Sequence, residues 1–195
     1  MNYPLTLTFK LLTLGTRIYV RDANENLIGF VRPKRFKLKE DISVFADENQ
    51  TRILFNIKAD RIIDFSARYN FMDSGGNFLG SIKRQGMRSL WKTHYQISDA
   101  GDRQILEIHE ENAWIKIVDS LVGEIPILGM FTGYVFNPAY IVSRMDNTPI
   151  VRLQKQPALF EGKFQAVTEA QLSQSEESLV LLGVLTMTLL ERNRG

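Results

Sequence analysis

A spaced series of aspartates constrains this chain more than any other feature. Asp22, Asp47, Asp73 and Asp99 stand at intervals of 25, 26 and 26 residues, each followed by small or polar residues and then an apolar run. Ala23 to Asn26 lead into Leu27 to Val31, and Ser74 to Asn77 lead into Phe78 to Ile82, with Gly29 and Gly80 both seven positions beyond their aspartate. Asp47 and Asp99 head a second kind of turn, whose next strands begin at Ile53 and Ile105. The pattern predicts a double hairpin of about 51 residues, present twice. Asp, Asn and Gly suit such positions because Gly and Asn tolerate positive φ and a carboxylate can accept hydrogen bonds from the turn it starts. Asp22, Asn24 and Asn26 resemble the opening of a calcium loop, but Leu27 stands where the turn glycine belongs and Pro33 where the bidentate glutamate belongs, so turn chemistry is the reading.

Between the turns the hydrophobic period is two. Ile63, Phe65, Ala67, Tyr69 and Phe71 alternate with Asp64, Ser66, Arg68 and Asn70; Trp91, Thr93, Tyr95 and Ile97 alternate with Lys92, His94, Gln96 and Ser98. Strands with one wet and one dry face close round a core as antiparallel hairpins, whereas covered parallel strands are apolar throughout. Further strand-like runs lie at Trp114 to Val118, Tyr140 to Arg144, Pro149 to Gln154 and Leu159 to Val167, and the Gly-richer stretch Leu121 to Asn137 receives no element.

From Ser173 the texture changes. Ser173 and Glu176 have capping-box spacing, and Ser178 to Leu190 is apolar except for two threonines and a glycine, which predicts a helix over about 174–191. Its apolar residues occupy every side of the cylinder, so something must enclose it. Thirteen residues span roughly 20 Å, short of a hydrocarbon core of about 30 Å, which favours a helix buried in a β-barrel over a membrane anchor. The N-terminal alternation from Leu5 to Leu11 reads as a strand and not as a signal peptide. With 195 residues, 44% hydrophobic and 24% charged, a single domain over 1–195 is expected. The net charge of +2 excludes a polycation acting as a whole molecule, and the absence of cysteine removes disulfides, thiolate metal sites and a cysteine nucleophile.

Three segments, Tyr19 to Arg32 (YVRDANENLIGFVR), Phe71 to Arg84 (FMDSGGNFLGSIKR) and Ser178 to Leu190 (SLVLLGVLTMTLL), give the chain a resemblance to the tubby C-terminal-like superfamily, in its LURP-one-related and phospholipid scramblase-like branch. The resemblance runs from about Leu5 to Leu190 and implies a mainly β fold, a closed antiparallel barrel of about twelve strands around the C-terminal helix. It also implies a connection to membrane lipids, since tubby-like members bind phosphatidylinositol bisphosphate. The palmitoylated cysteines, proline-rich N-terminus and acidic calcium segment of typical scramblases are missing, so calcium-driven scrambling is not implied.

No catalytic motif stands out: there is no G-x-S-x-G, no H-E-x-x-H and no phosphate loop. His94 and His109 fall on the polar sides of their strands and read as surface histidines. The expectation is a non-enzymatic module with no metal and no cofactor. The strongest local charge is Arg32, Lys34, Arg35, Lys37 and Lys39, where a strand would set Arg35, Lys37 and Lys39 on one face and Phe36 and Leu38 on the other. The matching region of the second repeat carries Lys83, Arg84, Arg88 and Lys92. These basic strips, with Arg32 to Lys39 and Lys83, Arg84 and Arg88 as the candidate residues, point to anionic phospholipid head groups; the alternative is a protein-interaction scaffold whose charges keep it dissolved. Nucleic acid is disfavoured by the modest charge and the lack of a stacking motif. A cytoplasmic protein, peripheral to membrane and without a spanning segment, is the corresponding expectation.

Overall fold

The aspartates head tight hairpin turns. In the computed structural model, which describes residues 1–12, 15–33, 41–61, 67–85, 94–111, 139–157 and 162–192, Asp22, Asp73 and Asp99 build one motif. The aspartate N–H donates to the carbonyl four residues on, at Asn26, Asn77 and Arg103 (3.0, 3.0 and 2.9 Å). Its carbonyl accepts from the residue three ahead, and its Oδ1 accepts the backbone N–H groups two and four ahead. The residue three ahead is left-handed, with φ of 60° at Glu25 and Asp102 and 83° at Gly76. The side chain therefore satisfies donors that the turn would otherwise leave unbonded.

Asp99 thus belongs with Asp22 and Asp73, which corrects the pairing of Asp99 with Asp47. Asp47 alone has a longer closure, from the Ala46 N–H to the Arg52 carbonyl (2.9 Å), with its carboxylate accepting from Thr51 and Arg52. A fifth turn escapes the series because Arg144 holds the leading position: its N–H donates to Thr148, Asn147 takes φ of 66°, and Asp146 supplies the carboxylate, accepting the Thr148 N–H at 2.9 Å.

The strands are β1 (Leu5–Leu12), β2 (Gly15–Arg21), β3 (Leu27–Val31), β4 (Ile42–Phe45), β5 (Ile53–Ala59), β6 (Arg68–Asp73), β7 (Phe78–Arg84), β8 (His94–Asp99), β9 (Gln104–Glu110), β10 (Ala139–Arg144), β11 (Pro149–Gln156) and β12 (Gly162–Thr168). The helix α1 spans Gln174–Arg192. Each strand pairs antiparallel with its chain neighbours, and β1 closes the barrel against β12, Leu5 opposite Ala166. All five turns sit beside a shift in register, the extra residue that a bulge needs. The expected run Trp114 to Val118, the stretch Leu121 to Asn137 and the beginnings of the runs at Ile63 and Trp91 lie outside the described residues.

The inward residues of the strands, among them Leu7, Phe9, Ile18, Ile57, Phe71, Ile82, Ile97 and Ile108, are at most 1% exposed and pack round α1. On the helix, Leu179 to Leu182, Val184, Leu185, Met187 and Leu189 are all buried. Thr186 and Thr188 are buried without loss because their hydroxyls donate back to the carbonyls of Leu182 (2.7 Å) and Val184 (2.9 Å). Among the described residues no helix is long and apolar enough to cross a membrane.

The helix start is built as its sequence predicts. The Ser173 N–H donates to Glu176 (2.9 Å) while the Glu176 N–H donates to the Ser173 hydroxyl (3.3 Å). Arg144, relieved of turn duty, donates from Nε and Nη2 to the Glu176 carboxylate (2.8 and 3.2 Å) and from Nη2 to the Gln171 carbonyl, tying the barrel wall to the helix. The Arg144 bonds, with those of Ser173, bring the Glu176 carboxyl from its ordinary 4.5 down to about 2. A folded-state value below the unfolded one gives stability that is present above about pH 4.5 and lost as pH falls toward 2. In full that shift equals about 3 kcal/mol, and screening at this partly exposed site reduces it to about 1–2 kcal/mol. Glu176→Gln is expected to lower stability by that amount at neutral pH and to flatten the acid limb. Denaturant midpoints measured from pH 7 to 2 check this; parallel profiles for variant and wild type would refute it.

Candidate functional site

Antiparallel alternation sorts the chain between the two rims of the barrel. The even-to-odd hairpins, together with the helix start, all lie on one rim; odd strands end, and the helix ends, on the other. Among the described residues the turn rim carries Asp22, Glu25, Asp47, Glu48, Asp73, Asp99, Asp102, Asp146, Glu169, Glu176 and Glu177 against Arg21, Arg52, Arg103 and Arg144. Hydrogen bonds from Thr51, Asn77, Arg103 and Thr148 hold the carboxyls of Asp47, Asp73, Asp99 and Asp146 below the usual range, so this rim stays anionic.

The candidate cations fall at the opposite rim where they are described. Arg32 follows the last residue of β3 and is exposed; Lys83, next to last in β7, is exposed too. Neither forms an ion pair with a carboxylate among the described residues. Arg84 turns the other way, because successive strand residues face opposite sides. It is half-buried, with its guanidinium 5.9 Å from the centroid of the Tyr95 ring, and the Tyr95 hydroxyl donates to Glu191 of α1 at 2.6 Å. Arg84 thereby joins the barrel mouth to the helix end and does not share an outer strip with Lys83. Lys34, Arg35, Lys37, Lys39 and Arg88 lie outside the described residues.

A second cationic group joins residues far apart in sequence. Lys10 on β1 is the direct cross-strand partner of Arg17 on β2. The β2–β3 register, continued one residue beyond Ile18↔Val31, sets Arg17 opposite Arg32. On the other side of β1, Lys163 of β12 pairs with Thr8, one diagonal step from Lys10. All four point outward, since Phe9, Ile18, Val31 and Ala166 point in. Lys10 Nζ also lies 5.6 Å from the Tyr19 ring centroid, and the Tyr19 hydroxyl donates to Glu48 (3.1 Å).

The histidines face each other across β8 and β9 on the outer wall. His94 is more than a solvated surface group: its Nε2 is 3.1 Å from Glu107 Oε2. Nearby, Arg152 donates to Glu111 at 2.6 Å. Among the described residues no group of three His, Cys, Asp or Glu could hold a metal ion.

Comparison with known proteins agrees with this architecture. The chain is similar in structure to a protein from Arabidopsis thaliana solved by X-ray crystallography, with a TM-score of 0.51 at 12% identity, covering 98% of this chain and 92% of that one. At that identity the likeness speaks to the fold alone. No curated protein matches the chain. The family model described as LURP-one-related matches residues 27–156, which takes in β3 to β11. The chain therefore belongs to the LURP-one-related family.

Proposed function

We propose that this protein is a non-enzymatic binding module for anionic phospholipid or phosphoinositide head groups, acting from the cytoplasm at a membrane surface. The observation that carries the reading is the pair of exposed cations, Arg32 and Lys83, which have no carboxylate partner among the described residues and stand on one rim while the anionic turns occupy the other. Arg32 also opens the basic run Lys34, Arg35, Lys37 and Lys39. Each cation near an anionic leaflet contributes about 1 kcal/mol, so a handful suffices for reversible recruitment, and screening over about 8 Å makes it salt-sensitive.

Co-sedimentation with vesicles of phosphatidylcholine, alone or doped with phosphatidylserine or phosphatidylinositol bisphosphate, tests this. Binding is expected only to the doped vesicles, weaker in added salt, and lost on reversing Arg32, Arg35, Lys37 and Lys39 to Glu with the fold intact. If the wild type ignores anionic vesicles at low salt, the reading is wrong. The second reading, a protein-interaction scaffold, draws on a different feature: Ile53, Phe78, Met145 and Val167 are 38–49% exposed and all lie toward the turn rim. Loss of a partner on Phe78→Ser with vesicle binding unchanged would favour it.

A further inference from the structure

We infer that the outer face of the β8–β9 hairpin is a binding site for a divalent transition cation of the zinc class, with His94 and His109 as its protein ligands and Glu107 as the carboxylate that orients His94. The inference does not depend on the lipid-binding reading.

His94 and His109 are direct cross-strand partners. Both project outward, because their chain neighbours Tyr95 and Ile108 are at most 1% exposed and belong to the core. Directly opposed residues of an antiparallel pair hold their Cβ atoms about 4.5–5.5 Å apart. Two nitrogens bound to one tetrahedral zinc at about 2.0–2.1 Å lie about 3.3 Å from each other. Imidazoles rooted at the first spacing reach the second by turning about their side-chain torsions, without a change in the strands.

The hydrogen bond of His94 decides which of its nitrogens is on offer. Nε2 lies 3.1 Å from Glu107 Oε2, and an ionised carboxylate only accepts, so Nε2 carries the proton and Nδ1 of the neutral ring keeps its lone pair. Glu107 shares a strand and a face with His109 and stands opposite Gln96, one diagonal step from His94. A carboxylate on the far ring nitrogen is how metal-binding histidines are commonly held, since it fixes the tautomer and makes the free nitrogen more basic. His109 is committed to no hydrogen bond or ion pair among the described residues.

The surrounding wall leaves room for added positive charge. Gln85 of β7 meets His94 through its backbone N–H (3.0 Å), and Ile141 and Ser143 of β10 stand opposite His109 and Glu107. Lys83 faces Gln96, and Arg152, opposite Ile141, is met by Glu111 at 2.6 Å, so two described cations are balanced by Glu107 and Glu111. Nitrogen ligands then select the metal: calcium and magnesium take oxygen, whereas imidazole suits zinc, copper and nickel. Among the described residues no set of three His, Cys, Asp or Glu side chains is arranged to hold a metal, so two imidazoles are the protein's share and water completes the tetrahedron. Such a site is open and exchangeable, unlike the closed four-ligand sites that hold small domains together.

Calorimetric titration of zinc chloride into the full chain, free of any histidine tag, tests this, together with thermal unfolding and long-range proton–nitrogen spectra of the imidazoles. The wild type is expected to bind zinc, to unfold at a higher temperature as zinc is added, and to show the His94 Nδ1 resonance moving. His94→Gln and His109→Gln should each lose the binding, and His109→Gln should keep the wild-type midpoint in the absence of zinc. Glu107→Gln should bind about 10–100-fold more weakly and lose the fixed Nε2–H tautomer of His94. Magnesium at the same concentrations should give no response. A wild type that takes up no zinc, or zinc taken up equally by His109→Gln, overturns the site. An equal response to magnesium overturns the choice of metal, and unchanged affinity in Glu107→Gln overturns the orienting role of the carboxylate.

Discussion

Leu182→Asp is expected to prevent folding. Leu182 is 0% exposed at the middle of α1, on a helix surrounded by the inward faces of the barrel. Removing the leucine side chain alone costs about 2–5 kcal/mol. The carboxyl that replaces it must either stay charged in the core or take up a proton, with an upward shift of up to about 3–5 pKa units, and protonating it at neutral pH adds about 4 kcal/mol. The sum rivals the whole stability of an ordinary domain, about 5–15 kcal/mol. Leu182→Met keeps the volume without the charge and should cost less than about 1.5 kcal/mol. Near-ultraviolet circular dichroism and urea unfolding separate the outcomes. A cooperative transition for Leu182→Asp at the wild-type midpoint would show that the helix is not the core of the protein, as would a folded monomer from a chain cut before Ser173.

The helix and most of the turns were legible in the sequence because each is a local chemical arrangement. Ser173 and Glu176 bond each other across three residues, and an aspartate accepts from the backbone two and four residues ahead of itself, so spacing alone reveals both. The fifth turn was not legible, since Arg144 takes the leading place and the carboxylate moves to Asp146. The separation of Lys83 from Arg84 could have been read from period two, which sends neighbours to opposite faces. The Lys163, Lys10, Arg17 and Arg32 row could not: Lys163 meets the others only because β12 closes on β1, a contact between the ends of the chain that no window of sequence contains.

The repeat itself makes the last prediction, because its two halves place glycine at equivalent positions under different constraints. Gly29 and Gly80 both stand seven residues after their turn aspartates, on β3 and β7. At Gly80 φ is 154°, and an added Cβ would lie 2.2 Å from the carbonyl oxygen of Ser98 and 2.8 Å from Leu179 Cδ2 of the helix. The first obstacle is backbone of β8 and cannot rotate away. At Gly29 the nearest atoms to an added Cβ are Val44 Cγ1 at 3.4 Å and Val20 Cβ at 3.5 Å, which is ordinary contact. Gly80→Ala combines a backbone conformation closed to L-residues, about 1–3 kcal/mol, with overpacking of about 1–3 kcal/mol. The expected loss is therefore about 3–5 kcal/mol, or roughly 10 °C in a chain of this size. Gly29→Ala should fall within about 0.5 kcal/mol of wild type, with a gain if the relief of glycine's chain entropy outweighs the tighter contact. Differential scanning calorimetry of the two variants side by side decides it. Equal effects at the two glycines would mean that the repeat, and not the close approach of β7 to Ser98 and the helix, governs what position seven requires.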